Sequence, residues 1–285
     1  MASEAAISRR ELLDRATGRL AAAGLPDARR EAFRLWSELA GAPPAEAMLR
    51  PDTPAAPGLA ERLLDAAARR AGGEPFAHVV GRIGFRRLVL RSDRRALIPR
   101  PETEGLVDLL LTRVRAGRVA DVGTGTGALA LSLAQEGGFE RVIGLDLSAE
   151  ALALAAEYRR ATGLTVDLVR ADLCTCLADG ALDALVSNPP YLSAGEHAGL
   201  DPAVRDWEPA AALVSGPDGM QATARLLGEA RRAVRPGGWI ALEVDCRRAG
   251  DCARRAGALG WDAIAIHADL FGRERYLLAR RSAIS

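Results

Sequence analysis

Lysine is absent from this chain of 285 residues, so every basic residue is an arginine. We interpret this absence, together with the abundance of alanine, as a compositional bias. The 38 basic and 37 acidic residues leave a net charge of only +1. A charge this small gives the whole molecule no attraction to polyanions. We therefore expect no direct binding to DNA.

Cysteine and histidine are also scarce, with four and three residues respectively. The cysteines form no paired CxxC spacing and the histidines are scattered, so the sequence predicts free thiols and no metal site. The chain also lacks a run of about 18 apolar residues and a signal-peptide pattern. These absences predict a cytoplasmic protein that does not enter a membrane.

The chain is rich in hydrophobic residues, at 49%, and suits a main domain with a small companion. Its first part reads as helices, with a Pro-rich connection at 42–57 and a third helix at 58–71. Short alternating runs at Ala77–Val80 and Phe85–Leu90 predict a β-hairpin. The predicted domains are a helical domain at 1–73, a hairpin linker at 74–100 and a main domain at 101–285.

From residue 103 onward, strand patterns alternate with helix patterns. Repeated alternation of this kind predicts an α/β fold with a doubly wound, mostly parallel sheet. The predicted strands are 118–122, 141–145, 165–169, 182–187, 239–244, 261–266 and 275–279. A turn at Pro236-Gly237-Gly238 is expected to open the fifth of these strands.

The most informative stretch begins where the strand at 182–187 ends. Asn188-Pro189-Pro190-Tyr191 follows this apolar strand without a spacer. Proline lacks the N–H group that a strand ladder needs, so the chain must leave the sheet at Asn188. The carboxyl ends of strands are where open α/β sheets bind their ligands. The stretch is therefore a candidate binding site.

This corner combines hydrogen-bond acceptors with an aromatic wall. Proline fixes the directions of the carbonyls of Asn188 and Pro189, and the Asn188 side chain adds an acceptor and a donor. Tyr191 offers a flat apolar face. Such a cluster suits a planar NH₂ group, whose two hydrogens need two acceptors. The alternative is a polar turn that merely ends the strand, but this four-residue sequence favours a function.

A glycine-rich loop, Gly123-Thr124-Gly125-Thr126-Gly127, lies between a predicted strand and a predicted helix. Glycines there let the backbone turn tightly and approach a ligand closely. The pattern alone is ambiguous, because Gly123, Gly125 and Ala128 also satisfy a dinucleotide-binding fingerprint.

Acidic residues near the ends of three strands favour one ligand over the other. Asp121 could meet a cationic amino-acid group, Asp146 could hold ribose hydroxyls, and Asp172 could accept from an adenine amine. A nucleoside with a charged amino-acid tail fits this set better than a dinucleotide does. That molecule is S-adenosylmethionine. Alternatively, Asp146 is a helix cap and Asp172 an ordinary loop residue.

Together, these motifs resemble those of class I S-adenosylmethionine-dependent methyltransferases of the HemK/PrmC family. The resemblance extends along the whole chain and rests on several separate stretches. They are the glycine loop, Asp146, Asn188-Pro189-Pro190-Tyr191, 73–81 (GEPFAHVVG), 97–104 (LIPRPETE), 204–209 (VRDWEP) and 269–273 (DLFGR).

The resemblance implies a seven-stranded Rossmann-like fold and methylation of a glutamine side chain at N5. The acceptor would be the glutamine of the GGQ motif in class 1 peptide chain release factors, held partly by the helical domain. Asn188, Pro189 and Tyr191 would be catalytic, and Asn188 to Tyr191, including Pro190, would contact the glutamine. The implied cofactor-binding residues are Asp121, Gly123, Thr124, Gly125, Thr126, Gly127, Asp146, Asp172, Leu173 and Asn188. We expect a monomer.

Two positions depart from the family pattern. An aromatic residue often follows the third acid, and Leu173 stands there in this chain. The usual Glu-Ile-Gly strand end reads Glu243-Val244-Asp245. The first departure predicts that adenine stacking is weaker at this position or comes from another residue.

Three other functions are compatible with parts of the sequence. A glutamine methyltransferase of a ribosomal protein would use the same chemistry. An adenine-N6 DNA methyltransferase shares Asn-Pro-Pro-Tyr but normally needs an added recognition region and a basic groove. A non-catalytic adaptor that binds the cofactor would have no need of an intact Asn188.

Overall fold

The computed structural model describes residues 7–283. Its α-helices are α1 (Arg9–Ala22), α2 (Ala28–Ala40), α3 (Pro44–Leu49), α4 (Leu59–Ala71), α5 (Phe76–Val80), α6 (Glu104–Leu111), α7 (Ala128–Glu136), α8 (Ala149–Thr162), α9 (Ala194–Ala198), α10 (Pro202–Arg205), α11 (Gln221–Ala233) and α12 (Ala249–Ala258). Its strands are β1 (Arg82–Phe85), β2 (Leu88–Arg91), β3 (Ala116–Val122), β4 (Gly138–Asp146), β5 (Asp167–Arg170), β6 (Leu182–Ser187), β7 (Val234–Glu243), β8 (Trp261–Ala268) and β9 (Glu274–Arg281). No helix within this range combines the length and apolarity that a membrane crossing requires.

The N-terminal unit contains α1 to α5, extends to Gly81 and also includes the segment Pro202–Trp207. Apolar side chains on one face of each long helix form its core, as the helical spacing in the sequence requires. The largest of these buried side chains are Leu12, Leu20, Leu35, Trp36 and Leu63. The predicted helical N-terminal region is confirmed, and the unit continues beyond residue 73.

Two local predictions in this region were wrong. Ala77–Val80 is part of α5 rather than a strand, because Pro75 leads into a helical turn and accepts from the N–H of Val79 at 3.0 Å. Gly81 ends that turn with a φ of +73°. The hairpin instead pairs β1 with β2. The connection predicted at 42–57 contains α3, which begins with a proline at a helix start, where its missing N–H has no cost.

The second unit is built on a sheet of seven strands within the described residues, in the order β5-β4-β3-β6-β7-β9-β8. The pairs β4–β5, β3–β4, β3–β6 and β6–β7 are parallel, whereas β9 runs antiparallel to β7 and β8. Helices cover both faces, with α6 and α7 in one buried cluster and α11 and α12 in the other. The predicted doubly wound, mostly parallel sheet is confirmed.

The order of the strands reverses between β3 and β6. From β3 the chain continues outward to β4 and β5, and from β6 it continues in the other direction to β7. In the register of this central pair, Asp121 lies beside Val186. The carboxyl ends of β3 and β6 are therefore at the same level, and a ligand crevice is expected at this switch point.

The start of β7 differs from the sequence-based prediction. Pro236-Gly237-Gly238 lies inside this strand instead of opening it, because Val234 already pairs with Leu182 of β6. The register then shifts, so that Ala184 pairs with Trp239. A Cβ atom on Gly238 would lie 2.7 Å from the Asp183 carbonyl oxygen. The position therefore requires glycine for close contact between the strands.

Candidate active site

The Asn-Pro-Pro-Tyr corner begins directly after β6, as predicted. The strand ends at Ser187, whose hydroxyl donates to the Val122 carbonyl at 2.5 Å and joins the ends of β6 and β3. After the corner, the N–H of Leu192 donates to Leu213 at 2.9 Å. Hydrogen bonds thus hold the residues on both sides of the corner in place.

The side-chain amide of Asn188 belongs to a hydrogen-bond chain with Thr103 and Glu243. Asn188 Nδ2 donates to Thr103 Oγ1 at 3.1 Å, and Thr103 Oγ1 donates to Glu243 Oε2 at 2.7 Å. A threonine hydroxyl has a single hydrogen, and here the carboxylate takes it, so the hydroxyl can only accept from Asn188. This fixes which end of the amide faces Thr103. The Asn188 Oδ1 atom is left available as an acceptor.

Glu243 also contacts Tyr191, through its other oxygen. The Tyr191 hydroxyl donates to Glu243 Oε1 at 3.3 Å, and Arg275 Nη1 lies 3.9 Å from the same atom. Burial raises the pKa of Glu243, and its contacts with Thr103 and Arg275 oppose that rise. Burial likewise raises the pKa of Tyr191. Tyr191 therefore stays a neutral donor, and its position depends on Glu243.

The glycine loop, residues 123–127, connects β3 to α7 with three glycines in the left-handed region. Their φ angles are +73° at Gly123, +54° at Gly125 and +83° at Gly127. A Cβ on Gly123 would meet nothing within 4 Å, whereas one on Gly127 would lie 3.2 Å from the Ala155 Cβ. The loop is therefore open at its first glycine and packed against α8 at its last.

Asp121 lies beneath this loop and organises it. Its Oδ2 accepts from the Thr124 hydroxyl at 2.6 Å and from the Ala130 N–H at 3.1 Å. Its Oδ1 is buried and has no hydrogen-bond partner among the described residues. Burial raises the pKa of Asp121 to about 7, and the nearby charge of Asp146 adds to this rise. The contact of Asp121 with a cationic ligand group remains a prediction.

Asp146, at the end of β4, holds the loop from the other side. Its Oδ2 accepts from the Gly125 N–H at 2.8 Å, and its Oδ1 accepts from the Ser148 N–H at 2.9 Å. Each carboxylate oxygen has capacity for a further hydrogen bond. The structure thus brings Asp121, the glycine loop and Asp146 together, and the ribose role of Asp146 remains a prediction.

Asp172 and Leu173 follow β5 and are engaged with α11 and the core. Asp172 Oδ2 lies 3.0 Å from Arg225 Nη2, in a half-exposed ion pair. Leu173 has a φ of +49° and packs against one of the two buried clusters. No described contact joins either residue to the glycine loop, and their predicted contacts with adenine stay predictions.

Thr103, Glu243 and Glu208 have structural roles that the sequence motifs did not indicate. Glu208 is buried, and its carboxylate accepts from the Ile98 N–H at 3.0 Å and pairs with Arg100 at 2.6 Å, which fixes the segment that leads to Thr103. The sequence signal for Glu243 was its position as a carboxylate at the end of an apolar strand, where a buried charge requires partners.

Among residues 7–283, no group of three or more His, Cys, Asp or Glu side chains is arranged to hold a metal.

Comparison with known proteins identifies the family. The model of the PrmC N-terminal domain matches residues 11–81, and that of the methyltransferase small domain matches residues 101–203. A release factor glutamine methyltransferase from Deinococcus radiodurans is 42% identical over 276 residues, which cover 96% of this chain and 98% of that protein. A protein of the same name from Cereibacter sphaeroides is 38% identical over 275 residues, covering 96% and 98%.

A solved structure agrees with the sheet described above. The crystal structure of a methyltransferase from Pyrococcus furiosus aligns with a TM-score of 0.50 at 21% identity, over 68% of this chain and 88% of that chain. This similarity concerns the fold alone. The identity to the named relatives extends over nearly the whole chain, and the protein therefore belongs to the release factor glutamine methyltransferase family.

Proposed function

We propose that this protein transfers a methyl group from S-adenosylmethionine to the side-chain amide nitrogen, N5, of the glutamine in the GGQ motif of class 1 peptide chain release factors. The names of its relatives state a release factor glutamine as the acceptor. The observation that carries the proposal is the orientation of the Asn188 amide by Thr103 and Glu243. It supplies a fixed acceptor oxygen at the carboxyl edge of the sheet.

An amide nitrogen is a poor nucleophile, because its lone pair is delocalised into the carbonyl group. The Asn188 Oδ1 atom and the Pro189 carbonyl accept the two N–H bonds of the glutamine amide. These acceptors hold the nitrogen in place and favour its rehybridisation as positive charge develops on it. Placement of this kind can supply roughly 7 kcal/mol or more of the reduction in barrier. No base is needed if the proton leaves after the methyl group has been transferred.

Tyr191 forms the wall of the acceptor pocket. Its hydroxyl is engaged with Glu243, which fixes the ring and leaves the aromatic face to contact the glutamine side chain. Pro190 keeps the backbone between these groups rigid. The corner therefore binds the amide by its hydrogens and the side chain by its apolar part.

The glycine loop and the acids around it would hold S-adenosylmethionine. When bound, the cofactor supplies an electrophilic methyl group on a sulfonium sulfur. The open space at Gly123 admits a ligand close to the backbone, and Asp146 retains capacity to accept from hydroxyl groups. The buried Oδ1 of Asp121 has no hydrogen-bond partner among the described residues, so the cationic amino-acid group of the cofactor would complement it on that side of the loop. Asp172 and Leu173 complete the proposed cofactor-binding set.

The decisive experiment measures transfer of label from S-adenosylmethionine to a purified release factor and to a variant whose GGQ glutamine is replaced by alanine. Label on the first protein alone would establish the enzyme, the cofactor and the acceptor together. Label on neither, with cofactor binding intact, would refute this acceptor and direct the assay to ribosomal proteins and DNA. Failure to bind the cofactor would refute the function assigned to the glycine loop.

Four further expectations belong to this proposal. The N-terminal helical unit would contribute to holding the release factor. The enzyme would act as a monomer in the cytoplasm, without contact with DNA. Sedimentation of the purified protein tests the expectation of a monomer.

A further inference from the structure

The loop between β8 and β9 presents two adjacent apolar side chains to solvent. Leu270 is 100% exposed and Phe271 is 74% exposed. Neither belongs to a buried cluster of the described residues. Exposed apolar pairs of this kind do not contribute to the core, and large aromatic and aliphatic side chains are frequent anchors of protein interfaces. We call Leu270 and Phe271 the apolar tip.

The backbone of this loop is held in one conformation by Asp269. Its Oδ1 accepts from the N–H groups of Phe271 at 2.9 Å and Arg273 at 3.0 Å, and its Oδ2 accepts from Arg275 Nε at 2.8 Å. Gly272, with a φ of +77°, donates its N–H to the Asp269 carbonyl at 3.0 Å. The tip is therefore presented on an ordered loop, and a partner would not have to pay for ordering it.

The apolar tip lies at the same edge of the sheet as the Asn188 corner. β7 runs parallel to β6, so the carboxyl end of β7 at Glu243 is on the edge where β6 ends. β9 returns antiparallel to β7, and Glu243 pairs with Tyr276, a few residues after the tip. Arg275 lies between the residues that support the two features, since its Nε donates to Asp269 Oδ2 at 2.8 Å and its Nη1 is 3.9 Å from Glu243 Oε1.

We infer that the apolar tip is a docking surface for the protein that carries the acceptor glutamine, and that it binds an apolar patch on that protein. The inference rests on the proposed function. A glutamine within a folded protein can reach the Asn188 corner only if the surrounding protein surface covers this edge of the sheet. A short loop with an exposed aromatic ring at that edge would contact the surface of the acceptor protein. Burial of the apolar tip in this contact supplies affinity for the acceptor protein as a whole.

The test is a double variant, Leu270→Ser with Phe271→Ser, assayed with release factor as acceptor. We expect KM for the release factor to rise at least tenfold, with kcat at saturation and the Kd for S-adenosylmethionine within twofold of the unchanged protein. The matched control is Leu259→Ser, a 37% exposed leucine just before β8, at the opposite edge of the sheet. This control should leave KM unchanged.

A second measurement does not depend on kinetics. A benzophenone photocrosslinker in place of Phe271 should form a covalent adduct with purified release factor, and the same group in place of Leu259 should not. An unchanged KM in the double variant, a fall in kcat alone, or equal crosslinking at both positions would each overturn the inference. If the unchanged protein does not methylate release factor at all, the proposed function fails instead, and the two failures are distinguishable.

Discussion

Replacement of Thr103 by valine tests the hydrogen-bond chain that orients Asn188. Valine has nearly the shape of threonine but lacks the hydroxyl, so Thr103→Val removes both the donor to Glu243 and the acceptor for Asn188. The amide of Asn188 can then present either its oxygen or its NH₂ group to the acceptor glutamine. We expect kcat for methylation of release factor to fall, with little change in affinity for S-adenosylmethionine.

The size of the effect follows from burial. Thr103 is 5% exposed and Glu243 is 1% exposed, so water does not replace the lost partner. A buried polar group left without its partner costs about 1–3 kcal/mol. If about 2 kcal/mol of this is lost from the orientation of Asn188 in the transition state, kcat falls about 30-fold.

Single-turnover methyl transfer at saturating release factor measures this loss without interference from product release. Thr103→Ser is the matched control, because serine keeps the hydroxyl and should retain at least a third of the activity. Thermal unfolding of both variants separates a local effect from a loss of folded protein. A kcat for Thr103→Val within threefold of the unchanged enzyme would refute the reasoning, as would an equal loss in Thr103→Ser.

Three other variants probe the site. Asn188→Ala should abolish turnover while the Kd for S-adenosylmethionine, measured by calorimetry, stays within a few fold, and near-normal turnover would exclude the proposed mechanism. The folded-state pKa of Asp121, about 7, lies above its ordinary value of 3.8, so the folded protein holds a proton between these values that the unfolded chain has lost. The contribution of this group to the free energy of unfolding therefore declines as pH rises from about 4 to 7. The free energy of unfolding of Asp121→Asn minus that of the unchanged protein, measured with urea, should increase by about 3 kcal/mol from about pH 5 to pH 8. A difference that is independent of pH would contradict this. Gly127→Ala should lower the free energy of unfolding by roughly 1–2 kcal/mol and weaken cofactor binding, because of its φ of +83° and the Ala155 Cβ at 3.2 Å. Gly163→Ala, at φ +69° with nothing within 4 Å, should lose stability but not cofactor affinity.

The fold of the second unit was predictable because its elements are marked locally. Alternating strand and helix patterns, with glycine at the turns, suffice for a doubly wound sheet. The errors occurred where the local pattern was ambiguous. Ala77–Val80 is a short, mostly apolar run, and such a run is compatible with either a strand or a helical turn. The start of β7 depends on its pairing with β6, which is distant in the sequence.

The candidate site was predictable only in part. Asn188-Pro189-Pro190-Tyr191 and the glycine loop are continuous in sequence, so their chemistry could be inferred from adjacent residues. Thr103 and Glu243 are 140 residues apart, and only the fold brings their side chains together. The environment of Asp121 likewise depends on burial, since no neighbour in the sequence indicates that one of its oxygens lacks a partner.

Glu243 serves Thr103 with one carboxylate oxygen and Tyr191 with the other. The proposed amide-binding residue Asn188 and the proposed aromatic wall Tyr191 are thereby coupled through a single side chain. A substitution that moves Glu243 to fit a different residue at position 191 also removes the hydrogen bond that orients the amide of Asn188 through Thr103. A change in the specificity of the proposed pocket for its acceptor therefore requires coordinated substitutions at positions 103, 191 and 243.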